Sequence, residues 1–326
     1  MKKFFRVVLV IILVLVAAVA GIATYVKTAL PDVGKATDIK IEPTPQRIER
    51  GKYLANNVVL CTDCHSQHDE TVYGAPDIER TFCAGGQQFG KDKGFPGTVY
   101  SRNITPYALS NWTDGEIFRA ITTGVSKNGN ALFPLMPYHN YGQMDQEDIY
   151  SIIAYLRTLP AIKNDVPPTT LDFPLNFIVN TIPSKAALTV RPDTNNSVAY
   201  GKYLVAAAAC AECHSRVDKG AIIPGTELGG GRDFPYPNGT VTTAVNITAD
   251  NETGIGKWTR DMFIQRFKQF SPAAYTLQKI TPADFNTTMP WLMYSGMTEK
   301  DLGAIYDYLR TVQPINYKVE RFKKKV

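Results

Sequence analysis

The chain has 326 residues, 44% of them hydrophobic and 20% charged, with a formal net charge of +5. Residues 1–30 supply four basic side chains and no acidic ones, leaving only +1 for the remainder. The charge read whole is therefore misleading, and nothing in the composition argues for nucleic acid as a partner.

After Lys2, Lys3 and Arg6 the sequence runs apolar from Val7 to Val26, broken only by Gly21, Thr24 and Tyr25. Those 20 residues make a helix of ~30 Å at 1.5 Å per residue, enough to cross a bilayer. Cleavage after Ala18-Val19-Ala20 is the competing reading, a signal peptide that frees a soluble periplasmic protein. Apolarity continues past that point, so residues 1–30 are expected to stay as a membrane anchor. No cysteine follows the run, which excludes a lipoprotein. In either case the basic end lies inside and the rest lies on the periplasmic side of the inner membrane.

Residues 46–65 read as a helix ending in Cys61-Thr62-Asp63-Cys64-His65, and residues 198–214 as one ending in Cys210-Ala211-Glu212-Cys213-His214. Cys-x-x-Cys-His is the pattern of covalent c-type haem attachment. Two thiols on one helical turn reach the two vinyl groups of one haem, and the adjacent imidazole points at its iron. A zinc site or a redox dithiol would need other ligands or a βαβ setting. The only other cysteine is Cys83 and the only other histidines are His68 and His139. The sequence thus predicts two haem c groups, on Cys61 and Cys64 with His65, and on Cys210 and Cys213 with His214.

The motifs sit in an internal repeat. Gly51-Lys52-Tyr53-Leu54 is answered by Gly201-Lys202-Tyr203-Leu204, Asn103-Ile104-Thr105 by Asn246-Ile247-Thr248, and Trp112-Thr113 by Trp258-Thr259. The segment from Phe82 through Cys83 to Phe89 pairs with that from Glu227 through Leu228 to Phe234. Met136-Pro137-Tyr138 leads to Tyr155-Leu156-Arg157-Thr158, as Met289-Pro290-Trp291 leads to Tyr308-Leu309-Arg310-Thr311. Two tandem all-α domains are expected, at 45–160 and 195–316, each of ordinary small-domain size.

Within them, Glu116–Thr123 and Asp261–Phe270 read as middle helices, the first opening on a Thr113/Glu116 capping box. Gln146–Thr158 and Glu299–Thr311 carry apolar residues at helical spacing. Asp145 and Thr298 fit as their N-caps, with Asp148 and Asp301 at the capping-box position, and Met144 with Ile149 and Met297 with Leu302 as hydrophobic staples. Between the domains, 161–194 is rich in proline but also in Leu171, Phe173, Leu175, Phe177 and Ile178, so it is expected to pack across both domains rather than to tether them. Residues 40–160 hold 11 basic and 13 acidic side chains, and 195–326 hold 16 and 12. The basic tail 317–326, with Arg321, Lys323, Lys324 and Lys325, reads either as a solvated end or as a patch for an acidic partner or anionic lipid.

These residues resemble class I cytochrome c domains, and more closely the multi-haem cytochrome c subunits of membrane-bound alcohol and gluconate dehydrogenases. Such subunits typically carry three such domains, whereas this chain has two. The resemblance implies a methionine as sixth iron ligand, in a loop before the last helix. Met136 and Met289 occupy matching places, each 19 residues before the terminal-helix tyrosine, 136 to 155 and 289 to 308. The repeated pair Met144 and Met297 is the rival, read as staples. His139, three residues past Met136, is a lesser candidate because its counterpart is Leu292; Cys83 faces Leu228 and reads as a buried apolar residue. His68 lies too close to His65 along the chain to reach the far face of the same haem. Trp112 and Trp258 read as core aromatics, with an indole bond to a haem propionate as an extra. The resemblance also implies that each axial histidine donates to a carbonyl near a proline, for which Pro76 and Pro224 are the expectation.

The function expected is single-electron transfer between a membrane or periplasmic donor and a respiratory acceptor, with no catalytic residues in the chain. The alternative is the electron-accepting subunit of a periplasmic dehydrogenase complex. A dihaem peroxidase or thiosulfate-oxidising enzyme would need an open or Cys-ligated haem, and a methionine candidate in both repeats argues against it.

Overall fold

The structure is a computed structural model describing residues 1–236, 238–281 and 284–324. It opens on α1 (Lys2–Thr28), 27 residues with mean hydropathy 3.1 in its most apolar stretch and no buried residue. By length and composition α1 can cross a membrane. The first repeat contains α2 (Pro45–Asn57), α3 (Cys61–Cys64), β1 (Gln88–Phe89), β2 (Gly97–Tyr100), α4 (Pro106–Leu109), α5 (Asp114–Thr123), α6 (Tyr138–Tyr141) and α7 (Gln146–Thr158). The connecting segment forms β3 (Thr170–Leu171) and α8 (Leu175–Ile178). The second repeat contains α9 (Ser197–Ala207), α10 (Cys210–Cys213), β4 (Val217–Asp218), β5 (Ala221–Ile222), β6 (Asp233–Pro235), β7 (Val241–Thr243), α11 (Arg260–Lys268), α12 (Trp291–Tyr294), α13 (Glu299–Leu309) and β8 (Phe322–Lys323).

The fold is helical but not purely so. Short antiparallel ladders β1-β2-β3, β4-β5 and β6-β7-β8 pin the long loops, two or three residues at a time. Alternation over so few residues is too short to read as strand. β8 ties down part of the basic tail: Phe322 and Lys323 pair with Thr242 and Val241, and Lys323 reaches Asp233 at 3.2 Å. Lys325 lies outside the described residues.

Each repeat is built on one crossing of its first and last helices, α2 on α7 and α9 on α13. The backbones approach so closely that a Cβ on Gly51 would lie 1.8 Å from the Ser151 carbonyl oxygen, and one on Gly201 1.8 Å from that of Ala304. This is why both repeats carry glycine before Lys-Tyr-Leu. Leu54, Ile149, Ile152 and Ile153 fill one crossing, Leu204, Leu302, Ile305 and Leu309 the other, in one contiguous core. The Thr113/Glu116 capping box is formed. Asp145 and Thr298 cap α7 and α13 as expected, and Met144 and Met297, each 1% exposed, are core residues.

The first helices are shorter than expected. α2 stops at Asn57 and α9 at Ala207, because Leu60 and Ala209 adopt left-handed φ of 54° and 50°. The motif then forms its own turn, re-aimed relative to the long helix. α13 ends two residues before the expected Thr311.

Asp148 and Asp301 do not close capping boxes; they hold the repeats together. Tyr53 of the first repeat donates to Asp301 Oδ2 of the second at 2.6 Å, and Tyr203 of the second donates to Asp148 Oδ2 of the first at 2.6 Å. The same hydroxyls accept from the backbone N–H of Thr298 and Asp145 at 3.1 and 3.2 Å. Asp148 also receives two bonds of 2.9 Å from Arg50 and one of 2.7 Å from Arg191. Among the described residues no cation pairs with Asp301; its second neighbour is the Tyr200 hydroxyl at 3.5 Å. Burial and the facing carboxylate push both Tyr53 and Tyr203 up, so both remain donors.

The connecting segment packs mainly on the first repeat rather than evenly on both. β3 pairs with β2, Arg102 donates to the Val166 and Pro167 carbonyls, and Ala187 and Thr189 donate to Gly142 and Met144. The Thr194 hydroxyl accepts from Lys300 of the second repeat.

Candidate functional site

Left-handed Leu60 and Ala209 start the turns that carry the cysteines, and His65 and His214 follow directly, their N–H groups bonded to the Cys61 and Cys210 carbonyls at 3.0 and 2.9 Å. Each imidazole is then oriented from outside its turn. His65 Nδ1 lies 2.6 Å from the Arg102 carbonyl oxygen and His214 Nδ1 2.8 Å from that of Val245. A carbonyl only accepts, so Nδ1 carries the proton and the Nε2 lone pair is left for a metal. Burial holds both imidazoles below their ordinary pKa, in the neutral form that ligation needs.

The carbonyls are those of the residues before Asn103 and Asn246, not ones near Pro76 or Pro224; the Pro76 oxygen accepts from Asp69 instead. The Asn-Ile-Thr motif fixes them. Asn103 Oδ1 accepts from the Thr105 N–H and hydroxyl at 2.9 and 2.7 Å, and Nδ2 donates to the Ile162 carbonyl at 2.8 Å. Asn246 repeats this with Thr248 at 2.9 and 2.8 Å and the Ile315 carbonyl at 2.6 Å. Gly85 and Gly230, at φ +70° and +77°, press on the same peptides: a Cβ would come within 2.4 Å of Arg102 C and 2.5 Å of Val245 C. Their N–H groups donate back to the His65 and His214 carbonyls at 2.6 and 2.7 Å. The repetition of Asn-Ile-Thr and Gly-Gly was visible in the sequence; their role as the cradle of the histidine was not.

The thiols are not activated. Burial pushes Cys61 and Cys210 up to about 12. Cys64 and Cys213 keep a solvent-reachable face yet are ringed by protein, which pushes them up as well. A redox dithiol or a zinc thiolate pair calls for the opposite shift. Neutral thiols beside a neutral imidazole fit thioether attachment of a haem.

Met136 and Met289 occupy equivalent loops, half-buried against the core, each just before a proline that starts a short helix, α6 or α12. His139 is exposed, its Nδ1 3.2 Å from the Ser184 hydroxyl. His68 Nε2 lies 3.3 Å from Asp63 and 3.2 Å from Asp77, turned toward these carboxylates. Cys83 is fully buried at φ 59°, matching Leu228 at φ 63°. Trp112 and Trp258 are half-buried against the core. The Tyr141 and Tyr294 hydroxyls clamp the chain ahead of each motif, donating to the Val59 and Ala208 carbonyls at 2.8 and 3.2 Å.

No family model matches the chain. Curated proteins do. The chain is 26% identical over 294 residues to the cytochrome c subunit of a quinone alcohol dehydrogenase from Gluconacetobacter polyoxogenes, covering 82% of this chain and 56% of that protein. It is 29% identical over 287 residues to the cytochrome c subunit of gluconate 2-dehydrogenase from Pantoea cypripedii, covering 81% and 59%. A dihaem cytochrome c-type protein from Cereibacter sphaeroides is 28% identical over 198 residues, covering 58% and 63%. The chain therefore spans little more than half the length of the dehydrogenase subunits it matches. With the two motif turns and their histidine cradles, these matches make the chain a homologue of the cytochrome c subunits of alcohol and gluconate dehydrogenases.

Proposed function

We propose that the chain is a dihaem c-type cytochrome of two tandem class I domains, held by α1 to the periplasmic face of the inner membrane. It passes single electrons between a membrane or periplasmic donor and a respiratory acceptor. The observation that carries this reading is the duplicated Cys-x-x-Cys-His turn with its histidine Nδ1 committed to a backbone carbonyl. Haem iron, when bound, supplies the reversible one-electron chemistry.

The chain's own residues do the rest. Cys61 and Cys64, and Cys210 and Cys213, fix each haem by thioether bonds. His65 and His214 present Nε2, with the Arg102 and Val245 carbonyls setting the tautomer and raising ligand basicity. Met136 and Met289 are the proposed sixth ligands, which favour ferrous iron and a relatively high potential. The buried Tyr–Asp pairs hold the repeats in one arrangement, so electron transfer needs no domain closure.

Optical spectra of the haem-loaded protein, oxidised and reduced, with and without carbon monoxide, test the reading. Two six-coordinate haems that show the methionine–iron charge-transfer band and ignore the gas are expected. A haem that binds the gas readily would move the assignment toward a dihaem enzyme. Similarity to dehydrogenase subunits over four fifths of the chain favours a second role, as the electron-accepting subunit of such a complex. Co-purification of a flavoprotein or quinoprotein from native membranes distinguishes that role from a free-standing carrier.

A further inference from the structure

The connecting segment carries apolar side chains that the protein does not cover. Phe173 is 84% exposed and Ile178 46%, and Leu175 and Phe177 are only half-shielded, whereas Val179 turns inward. A soluble loop of this size would hide or lack them.

Their place in the fold accounts for the exposure. α8 and the turn Val179–Thr181 are in contact with α1. Within the last two turns of α1, Ala23 and Val26 are the shielded positions, one turn apart on one face. If Val26 closes the apolar run, Ala23 lies about 5 Å inside its outer end at 1.5 Å per residue. That is the depth at which an apolar face settles at the headgroup–acyl boundary, about 5–10 Å in. Lys27 stands at the same end of α1, where its ammonium can reach the headgroups. Asp172, next to Phe173, is paired with Lys91 at 2.8 Å.

We propose that Phe173, Leu175, Phe177 and Ile178 form a second, interfacial contact with the bilayer, beside the periplasmic end of α1. The proposal rests on α1 spanning the membrane. Because the same segment is laced to the first repeat through β3, Arg102 and Asn103, this contact fixes the tilt of the haem sites over the lipid.

The test uses the full haem-loaded chain in vesicles of phosphatidylethanolamine and phosphatidylglycerol, with nitroxide labels on Phe173→Cys, Ile178→Cys, Val14→Cys and Val190→Cys. The attachment cysteines are occupied by haem, and Cys83 is fully buried and does not label. Val190, 85% exposed in the same segment, is the water-side reference, and Val14, in the middle of α1, the lipid-side one. The expected result is a ratio of oxygen to nickel-chelate accessibility at 173 and 178 several-fold above that at 190 and below that at 14, as befits the shallower depth. If 14 reads lipid while 173 and 178 read like 190, the interfacial contact is overturned and the anchor stands. If 14 itself reads water, the anchor reading fails and takes the contact with it. Shielding of 173 and 178 from both probes would mean that protein covers them, which also overturns the proposal. Hydrogen exchange of the unmodified chain provides a second readout, with amides of 172–182 expected to slow several-fold in vesicles relative to the detergent-solubilised protein.

Discussion

Replacing Tyr53 by Phe removes a hydroxyl that donates to Asp301 at 2.6 Å and accepts from the Thr298 N–H at 3.1 Å. Tyr203→Phe removes the matching bonds to Asp148 and Asp145, at 2.6 and 3.2 Å. The bond lists are nearly identical, yet the costs should differ. Asp148 keeps two bonds from Arg50 and one from Arg191, so its charge stays compensated. Asp301, 6% exposed, keeps among the described residues only the Tyr200 hydroxyl at 3.5 Å. A hydrogen bond to a charged group contributes about 1.5–3 kcal/mol, and a buried carboxylate left short of donors adds its desolvation. Tyr53→Phe is therefore expected to cost about 3 kcal/mol and Tyr203→Phe about 1 kcal/mol. Urea unfolding of the detergent-solubilised holoprotein, followed by circular dichroism and the Soret band, measures both. Equal costs, or a larger one for Tyr203→Phe, would refute the argument that Arg50 and Arg191 set the asymmetry.

Asn103→Ala should loosen the carbonyl that holds His65 and raise the potential of the first haem by on the order of tens of mV, leaving the second unmoved; spectroelectrochemical titration shows whether the shift is confined to one haem. Gly51→Ala, whose Cβ would meet the Ser151 carbonyl at 1.8 Å, is expected to destabilise by about 3 kcal/mol or more, against no comparable effect of Lys52→Ala on the exposed side. Burial disfavours the His68 cation, but hydrogen bonds to Asp63 and Asp77 and their charge outweigh it and push the imidazole up to about 10. With the folded value above the unfolded ~6.5, this stabilisation is fully present below pH ~6.5 and fades as pH rises toward 10. The stability difference between the native chain and His68→Gln should be a few kcal/mol at pH ~6 and shrink steadily in alkali; a difference that grows with pH would contradict the ion-pair account.

The sequence made some elements plain and hid others, for identifiable reasons. The caps at Thr113, Asp145 and Thr298 and the full extent of Gln146–Thr158 follow from local chemistry, and local chemistry decided them. The break ahead of each motif falls on Leu60 and Ala209, residue types that carry no left-handed signal, so the helical pattern in the sequence runs straight through it. Asp148 and Asp301 occupy capping-box positions, and partners far away in sequence claim them instead: a tyrosine of the other repeat in each case, 55 residues off for Tyr203 and 248 for Tyr53, and for Asp148 also Arg50 of its own repeat, 98 residues off. The carbonyl partners of the histidines belong to backbone, which carries no residue-type signature; the repeated Asn-Ile-Thr was the available clue.

The reciprocal bonds of Tyr53 to Asp301 and Tyr203 to Asp148 are those of a two-fold dimer written into one polypeptide. Each repeat owns both halves of the pair, since Tyr53 and Asp148 lie together in the first and Tyr203 and Asp301 in the second. A chain severed in 161–194 need not leave orphaned halves. Two copies of the first repeat can satisfy Tyr53 with the Asp148 of one another, and the separated first repeat should sediment as a symmetric homodimer. The fused chain forgoes that symmetry, and so is free to let its two matched sites diverge, beginning with Arg50 on one side of the axis and Tyr200 on the other.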